Sequence, residues 1–113
     1  MLLVKAKVDK SPIHGLGLFA EQDIPQGTRI WQRSDLVDLA IDPSRINEVP
    51  LQIRELTYLC RNTNQYVLSA DGSQYMNHAD KPNIIGDIAV RDITKGEELT
   101  ENYGYEYGEI VRF

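Results

Sequence analysis

The chain has 113 residues, 42% of them apolar and 26% charged, with a formal net charge of −5. A domain of this length holds one modest core, burying roughly two-thirds of the surface its unfolded chain exposes. The acidic balance excludes a phosphate-binding surface of clustered Lys and Arg, so no direct nucleic-acid binding is expected; it serves solubility or a basic partner. The single cysteine, Cys60, excludes an intrachain disulfide and a thiolate-rich zinc cluster, and with only His14 and His78 as imidazoles no metal site is expected.

Val4, Ala6 and Val8 alternate with Lys5, Lys7 and Asp9, the period of a strand with one wet face, which Ser11-Pro12 ends. The same lysines interrupt the apolar start too early for a signal-peptide core, and no apolar run could span a bilayer. A soluble, cytoplasmic protein without membrane contact is expected. Gly15-Leu16-Gly17 leads into Leu18-Phe19-Ala20, and Pro25-Gln26-Gly27 into Thr28-Arg29-Ile30-Trp31, which reads as two short strands around a turn.

Asp42 is a candidate N-cap with Pro43 at the first helical position, and Pro50 should break or restart that helix. Val49, Ile53, Leu56 and Cys60 then recur at four, three and four, predicting a core-facing helix. Beyond it, Tyr66-Val67-Leu68 reads as a strand and Ala70 to Ser73 as a turn. Ile84 to Val90 reads as strand material interrupted at Gly86-Asp87. The sum is a mainly β chain with a short helical insert.

One internal echo stands out. Ala20 to Ile30 and Ala89 to Leu99 share Ala, Asp-Ile and Gly at identical offsets, and each ends on an aliphatic residue. Two separated copies do not make a solenoid, so they read as two similar turn-plus-strand units. Without a linker or low-complexity tract, residues 1–113 read as one domain.

Three stretches are denser in special residues than packing requires: Gly15-Leu16-Gly17, Gln74 to Asn83 and Glu97 to Tyr107. Alone, each is ambiguous. Paired glycines permit a tight turn or let backbone approach a ligand; a buried Asn or His is as readily a satisfied polar group as a site; Tyr103, Tyr105 and Tyr107 alternate onto one strand face, where packing explains them equally well. In this order, however, the set resembles the motifs of the SET-domain protein-lysine methyltransferases. There a Gly-x-Gly precedes Arg-Phe-x-Asn-His-Ser-x-x-Pro-Asn and then Gly-Glu-Glu-Leu-Thr-x-x-Tyr-Gly. The resemblance runs from Lys10 to about Tyr107.

The resemblance implies a SET-domain fold of several small sheets with a knot-like C-terminal threading. It further implies transfer of a methyl group from S-adenosyl-L-methionine to a lysine side chain of a protein substrate, with a basic substrate suiting the acidic chain and a homodimer left open. By the same resemblance Gly15, Leu16, Gly17, Tyr75, Asn77, His78 and Tyr107 would bind the cofactor, Tyr103 would be catalytic, and Tyr105 and Glu101 would line the substrate channel. Three positions depart from the pattern: Gln74 stands for the arginine, Ala79 for the serine, and Glu101 where many members carry an aromatic residue. The family's cysteine-rich tail is missing, so Tyr107, the Ile110 to Phe113 tail, a partner chain or the substrate itself would close the channel instead. These departures keep open an alternative, a SET-like module that binds a protein partner with little or no turnover.

Overall fold

The computed structural model describes residues 1–60, 63–102 and the backbone of 110–112. Among the described residues, ten short strands form three small sheets. The first takes β1 (Ala6–Lys10), β2 (Leu16–Ala20), β6 (Asn77–His78) and β9 (Glu98–Glu101) in the order β1-β2-β9-β6. The second takes β3 (Asp38–Ile41), β4 (Tyr58–Cys60), β5 (Gln65–Ser69) and β10 (Ile110–Arg112) in the order β10-β4-β5-β3. The third is a hairpin of β7 (Ile84–Ile85) and β8 (Ile88–Ala89).

The helical reading is half right. Asp42 does cap a helix, accepting the Ser44 amide at 2.9 Å with Pro43 next, but the helix is a 3-10 segment, Pro43–Glu48. The expected core-facing helix shrinks to α1 (Leu51–Arg54), on which Leu51 and Ile53 are exposed. The reason is tertiary. Thr57, fully buried, returns its amide and its hydroxyl to the Arg54 carbonyl, and the chain then turns extended so that β4 pairs with β5 and β10. Cys60 therefore lies on a strand, because ladder pairing with two neighbours outweighs a four-residue helix whose nucleation is costly. Thr28 to Trp31 also falls short of a strand, contributing isolated bridges from Arg29 to Ile88 and from Trp31 to Leu2.

The internal echo has a structural meaning: the two copies clasp each other about a local two-fold relation. Ile24 and Ile93 exchange both backbone hydrogen bonds. Further contacts between the copies then occur in pairs. The Gln26 amide donates to Asp92 and the Lys95 amide to Asp23, each at 2.8 Å. The Gly27 amide donates to the Ala89 carbonyl and the Gly96 amide to the Ala20 carbonyl. Gly27 and Gly96 share a left-handed φ, 88° and 96°, which a side chain would strain, so glycine recurs at this offset.

The clasp encloses the core. Leu18, Ile24, Ile30, Ile84, Ile93 and Leu99 are its largest buried aliphatic residues, with Ala20, Met76 and Ala89 between them and Leu2, Val4 and Ala6 against its rim. β9 crosses this core and pairs on one side with β2, antiparallel, and on the other with β6, parallel. A parallel neighbour cannot come from a hairpin. The loop after β6 is instead fastened by Asn83, whose side-chain amide donates to the Glu98 carbonyl at 2.8 Å and whose side-chain carbonyl accepts the Thr100 amide at 2.9 Å. The knot-like threading expected from the resemblance falls on the 103–109 passage, outside the described residues.

Asn83 is 2% exposed, so truncating it strands the partly buried Glu98 carbonyl and the buried Thr100 amide of β9. Asn83→Ala should cost about 2–4 kcal/mol in urea unfolding. A loss below the level of a surface substitution would show that this clamp does not hold the β6 loop.

Candidate functional site

The Gly15-Leu16-Gly17 turn owes its shape to what packs beneath it. Gly15 sits at φ 45°, the left-handed region, and its carbonyl accepts the Ser11 amide at 2.8 Å. Gly17 answers a different need. A Cβ there would collide with the Glu98 carboxylate and come 3.0 Å from Ser11 Cβ. Glu98 is the hub: the Ser11 hydroxyl donates to it at 2.8 Å and the Asn77 side-chain amide at 3.0 Å. The same Asn77 nitrogen contacts the carbonyls of His14 and Leu16 at 3.1 and 3.0 Å. One buried asparagine thus ties all three sequence motifs together.

Asn77, His14 and Leu16 of this polar knot also line a cleft of ≈ 710 Å³. Ile13, Glu55, Tyr75 and His78 belong to the same lining. Its size is within the range of pockets that bury a small organic ligand, and its lining mixes apolar surface with a few polar groups. Leu16, Tyr75, Asn77 and His78, four of the residues expected at the cofactor, therefore meet in one place, whereas Gly17 faces Glu98. His78 Nε2 lies 3.1 Å from Asp80.

Behind the cleft is a second cavity of ≈ 280 Å³, with Trp31, Tyr58, Cys60, Asp87 and Glu101 among its walls. Leu56, Gln74 and Met76 line both spaces and mark where they adjoin. Glu101, expected in the substrate channel, belongs to this second cavity. Tyr103, Tyr105 and Tyr107 lie outside the described residues.

The departures from the motif are accommodated locally. Gln74 accepts the Gly72 amide at 2.8 Å and so closes the turn that precedes Tyr75 and Met76. Ala79, without the expected hydroxyl, is braced by its own amide donating to the Glu101 carbonyl at 2.9 Å. Asp71 holds the other end of this segment, accepting from the Ser73 hydroxyl at 2.6 Å and the Leu2 amide at 2.7 Å. Partial burial pushes its carboxyl up. The hydrogen bonds from Ser73 and Leu2, with the Met1 amino group, outweigh that and leave it below the usual carboxylate range.

Sequence reasoning missed Glu98, Ser11, Asn83 and Asp87. The first two are separated by most of the chain, and only the collision of Glu98 with a side chain at position 17 explains why Gly17 accompanies it. Glu98 and Asn83 do fall inside quoted motifs, so motif membership was the available signal for them.

Two outcomes follow. Gly17→Ala should destabilise the fold by about 1–3 kcal/mol, and Glu98→Ala introduced alongside should recover part of it; additive losses in chemical denaturation would remove Glu98 as the reason for the glycine. A carboxyl with a lowered folded pKa stabilises above its unfolded pKa of about 3.9, and that contribution vanishes as pH falls through the folded value. Asp71→Asn should therefore lower stability at neutral pH and flatten its decline below about pH 4; an unchanged acid limb in thermal melts would exclude Asp71 from it.

A family model for the SET domain matches residues 15–104. Histone-lysine N-methyltransferase 2D of Homo sapiens is 25% identical over 114 residues, which cover 87% of this chain and 2% of that protein. The H3 lysine-36 specific histone-lysine N-methyltransferase of Candida albicans is 30% identical over 122 residues, covering 92% of this chain and 14% of that one. Among solved structures, a humanized mutant of the Chaetomium thermophilum Polycomb Repressive Complex 2 bound to the inhibitor GSK126 has a TM-score of 0.64 at 26% identity, over 89% of this chain and 15% of that chain. The chain thus spans a small fraction of these relatives. The family match takes in the Gly-x-Gly turn, Asn77-His78 and β9, the three segments that Glu98 and Asn77 join, and the chain belongs to the SET-domain family.

Proposed function

We propose that this chain transfers a methyl group from S-adenosyl-L-methionine to the side-chain nitrogen of a lysine in a protein substrate. One observation carries the reading. A larger cleft and a smaller cavity adjoin, with Leu56, Gln74 and Met76 in the linings of both. Methyl transfer calls for donor and acceptor in adjoining spaces that open into each other, because the acceptor nitrogen must meet the methyl carbon in line with the bond that breaks.

The cleft residues suit the donor. Ile13, Leu16 and Leu56 offer apolar walls for a nucleoside, Tyr75 an aromatic face, and Glu55 a carboxylate toward its cationic groups. Bound there, the donor supplies an activated methyl on a sulfonium. The chain's part is to bind, orient and desolvate. A lysine has a reference pKa of about 10.4, so a neutral amine near pH 7 costs about 4–5 kcal/mol unless the site assists. The cavity wall of Trp31, Tyr58, Val67 and Met76 assists by removing water, which disfavours the ammonium. Alignment of the reacting pair can then contribute on the order of 7–11 kcal/mol.

The resemblance assigns Tyr103 to the junction, where its phenol would orient the amine. β10 pairs with β4, whose Tyr58 and Cys60 line the cavity, so the C-terminal strand is well placed to buttress the acceptor side. The relatives' names point to histones, and core histones are the basic substrates to try first.

Purified protein incubated with methyl-labelled donor and core histones should incorporate label into lysine, and Tyr103→Phe should reduce the rate by ~100-fold. S-adenosylhomocysteine at 100 times its dissociation constant should stabilise the fold by about 2.7 kcal/mol. Stabilisation without transfer to histones or to total cell lysate would identify a binding module, and neither effect would end the proposal.

A further inference from the structure

We propose that the outer edge of β1 is a self-association site, which pairs antiparallel with the same strand of a second copy of this chain, centred on Val8. β1 ends the order β1-β2-β9-β6, and among the described residues no strand pairs with its outer edge. The inference stands on this strand alone and is independent of the reaction proposed above.

The backbone decides which groups are on offer. The Lys5 carbonyl accepts the Glu21 amide at 2.9 Å, and the Ser11 amide donates to the Gly15 carbonyl at 2.8 Å. Odd-numbered residues thus turn their backbone groups inward, toward β2 and the turn before it. Strand residues alternate, so Ala6, Val8 and Lys10 turn theirs outward. The Lys10 amide fits this direction: it donates to the Asp9 side chain at 2.7 Å rather than to a ladder carbonyl. The edge is open to approach, with Val8 38% exposed and Lys7, Asp9 and Lys10 exposed beside it.

Two identical strands that pair antiparallel form an isologous contact, each residue meeting its counterpart across a two-fold axis. Centred on Val8, the register sets Val8 opposite Val8 and Ala6 opposite Lys10, and it employs the outward amides and carbonyls of all three. Lys7 then lies opposite Asp9, twice, at the non-hydrogen-bonded positions where facing side chains come closest. Centring one residue earlier would set Lys7 against Lys7, and one residue later Asp9 against Asp9. Like charges directly opposite destabilise, so the charge order selects the Val8 register. An edge guarded against pairing is served best by one sign of charge, which repels in every register. β1 carries both signs. Lys7 and Asp9 lie 3.8 Å apart within the strand and are each more than half exposed, so both can exchange this contact for one across the axis. The seam ends at Lys10, the register partner of Leu16 in the cleft lining. Five residues a side bury little surface, so the association is weak and depends on concentration.

Sedimentation velocity over a concentration series, reaching the millimolar range at physiological salt, reads the association. Wild type should form a dimer whose share rises with concentration. Lys7→Asp or Asp9→Lys alone should weaken it by about tenfold or more, and the double charge swap should restore it to within about threefold of wild type. Mixed in equal amounts, the two single variants should pair with each other. Melting temperatures should agree across the set, because the substituted side chains are exposed. A wild type that stays monomeric throughout, single variants that associate as well as wild type, or a charge swap and a mixture that both fail to restore the dimer would overturn the inference.

Discussion

The half-buried carboxylate of Glu98 holds the functional region together, and most local features of the sequence there can be traced to it. It accepts from Ser11 and from Asn77, and it occupies the space that a side chain at position 17 would need. Through Asn77 it is coupled to the carbonyls of His14 and Leu16, so the turn, β6 and β9 form one polar unit. Buried polar groups cost free energy unless every partner is present. A substitution at any member is therefore felt at the others, which accounts for three distant motifs occurring together.

Beside that unit, among the described residues, a cleft and a smaller cavity adjoin. The residues common to both linings, Leu56, Gln74 and Met76, come from the segment after α1 and from the segment entering β6. Both are pinned: the first by Thr57 capping Arg54, the second by Asp71 and by Gln74 closing onto Gly72.

The clasp formed by the two echoing segments supplies the rigid side of the molecule. Its paired aspartates and paired left-handed glycines repeat one solution to the same turn problem, and its buried face provides Ile24, Ile30, Ile93 and Leu99 to the core. Because β9 continues directly from the second copy, the position of Glu98 and Glu101 is set by this core rather than by the loops around the cavities. The Gly86-Asp87 turn is fixed from the same side through Ile30.

The sequence by itself determined the motif set, the turn positions, the strands around Val8, Leu18 and Val67, and the repeated unit, because these are written in local spacing and in residues whose backbone preferences are strong. By resemblance it also led to the expectation of Leu16, Tyr75, Asn77 and His78 at a cofactor; in the structure these four line one cleft, and Gly15 and Gly17 are not in its lining. It misread Val49 to Cys60, where an apolar period of helical type was overruled by pairing of β4 with β5 and β10. Only the tertiary structure decided that Gly17 yields to Glu98, that Asn83 fastens β9, and that Asp87 and Glu101 reach one cavity. Such contacts join residues far apart in the chain, and no local pattern encodes which distant partner will fill a given space.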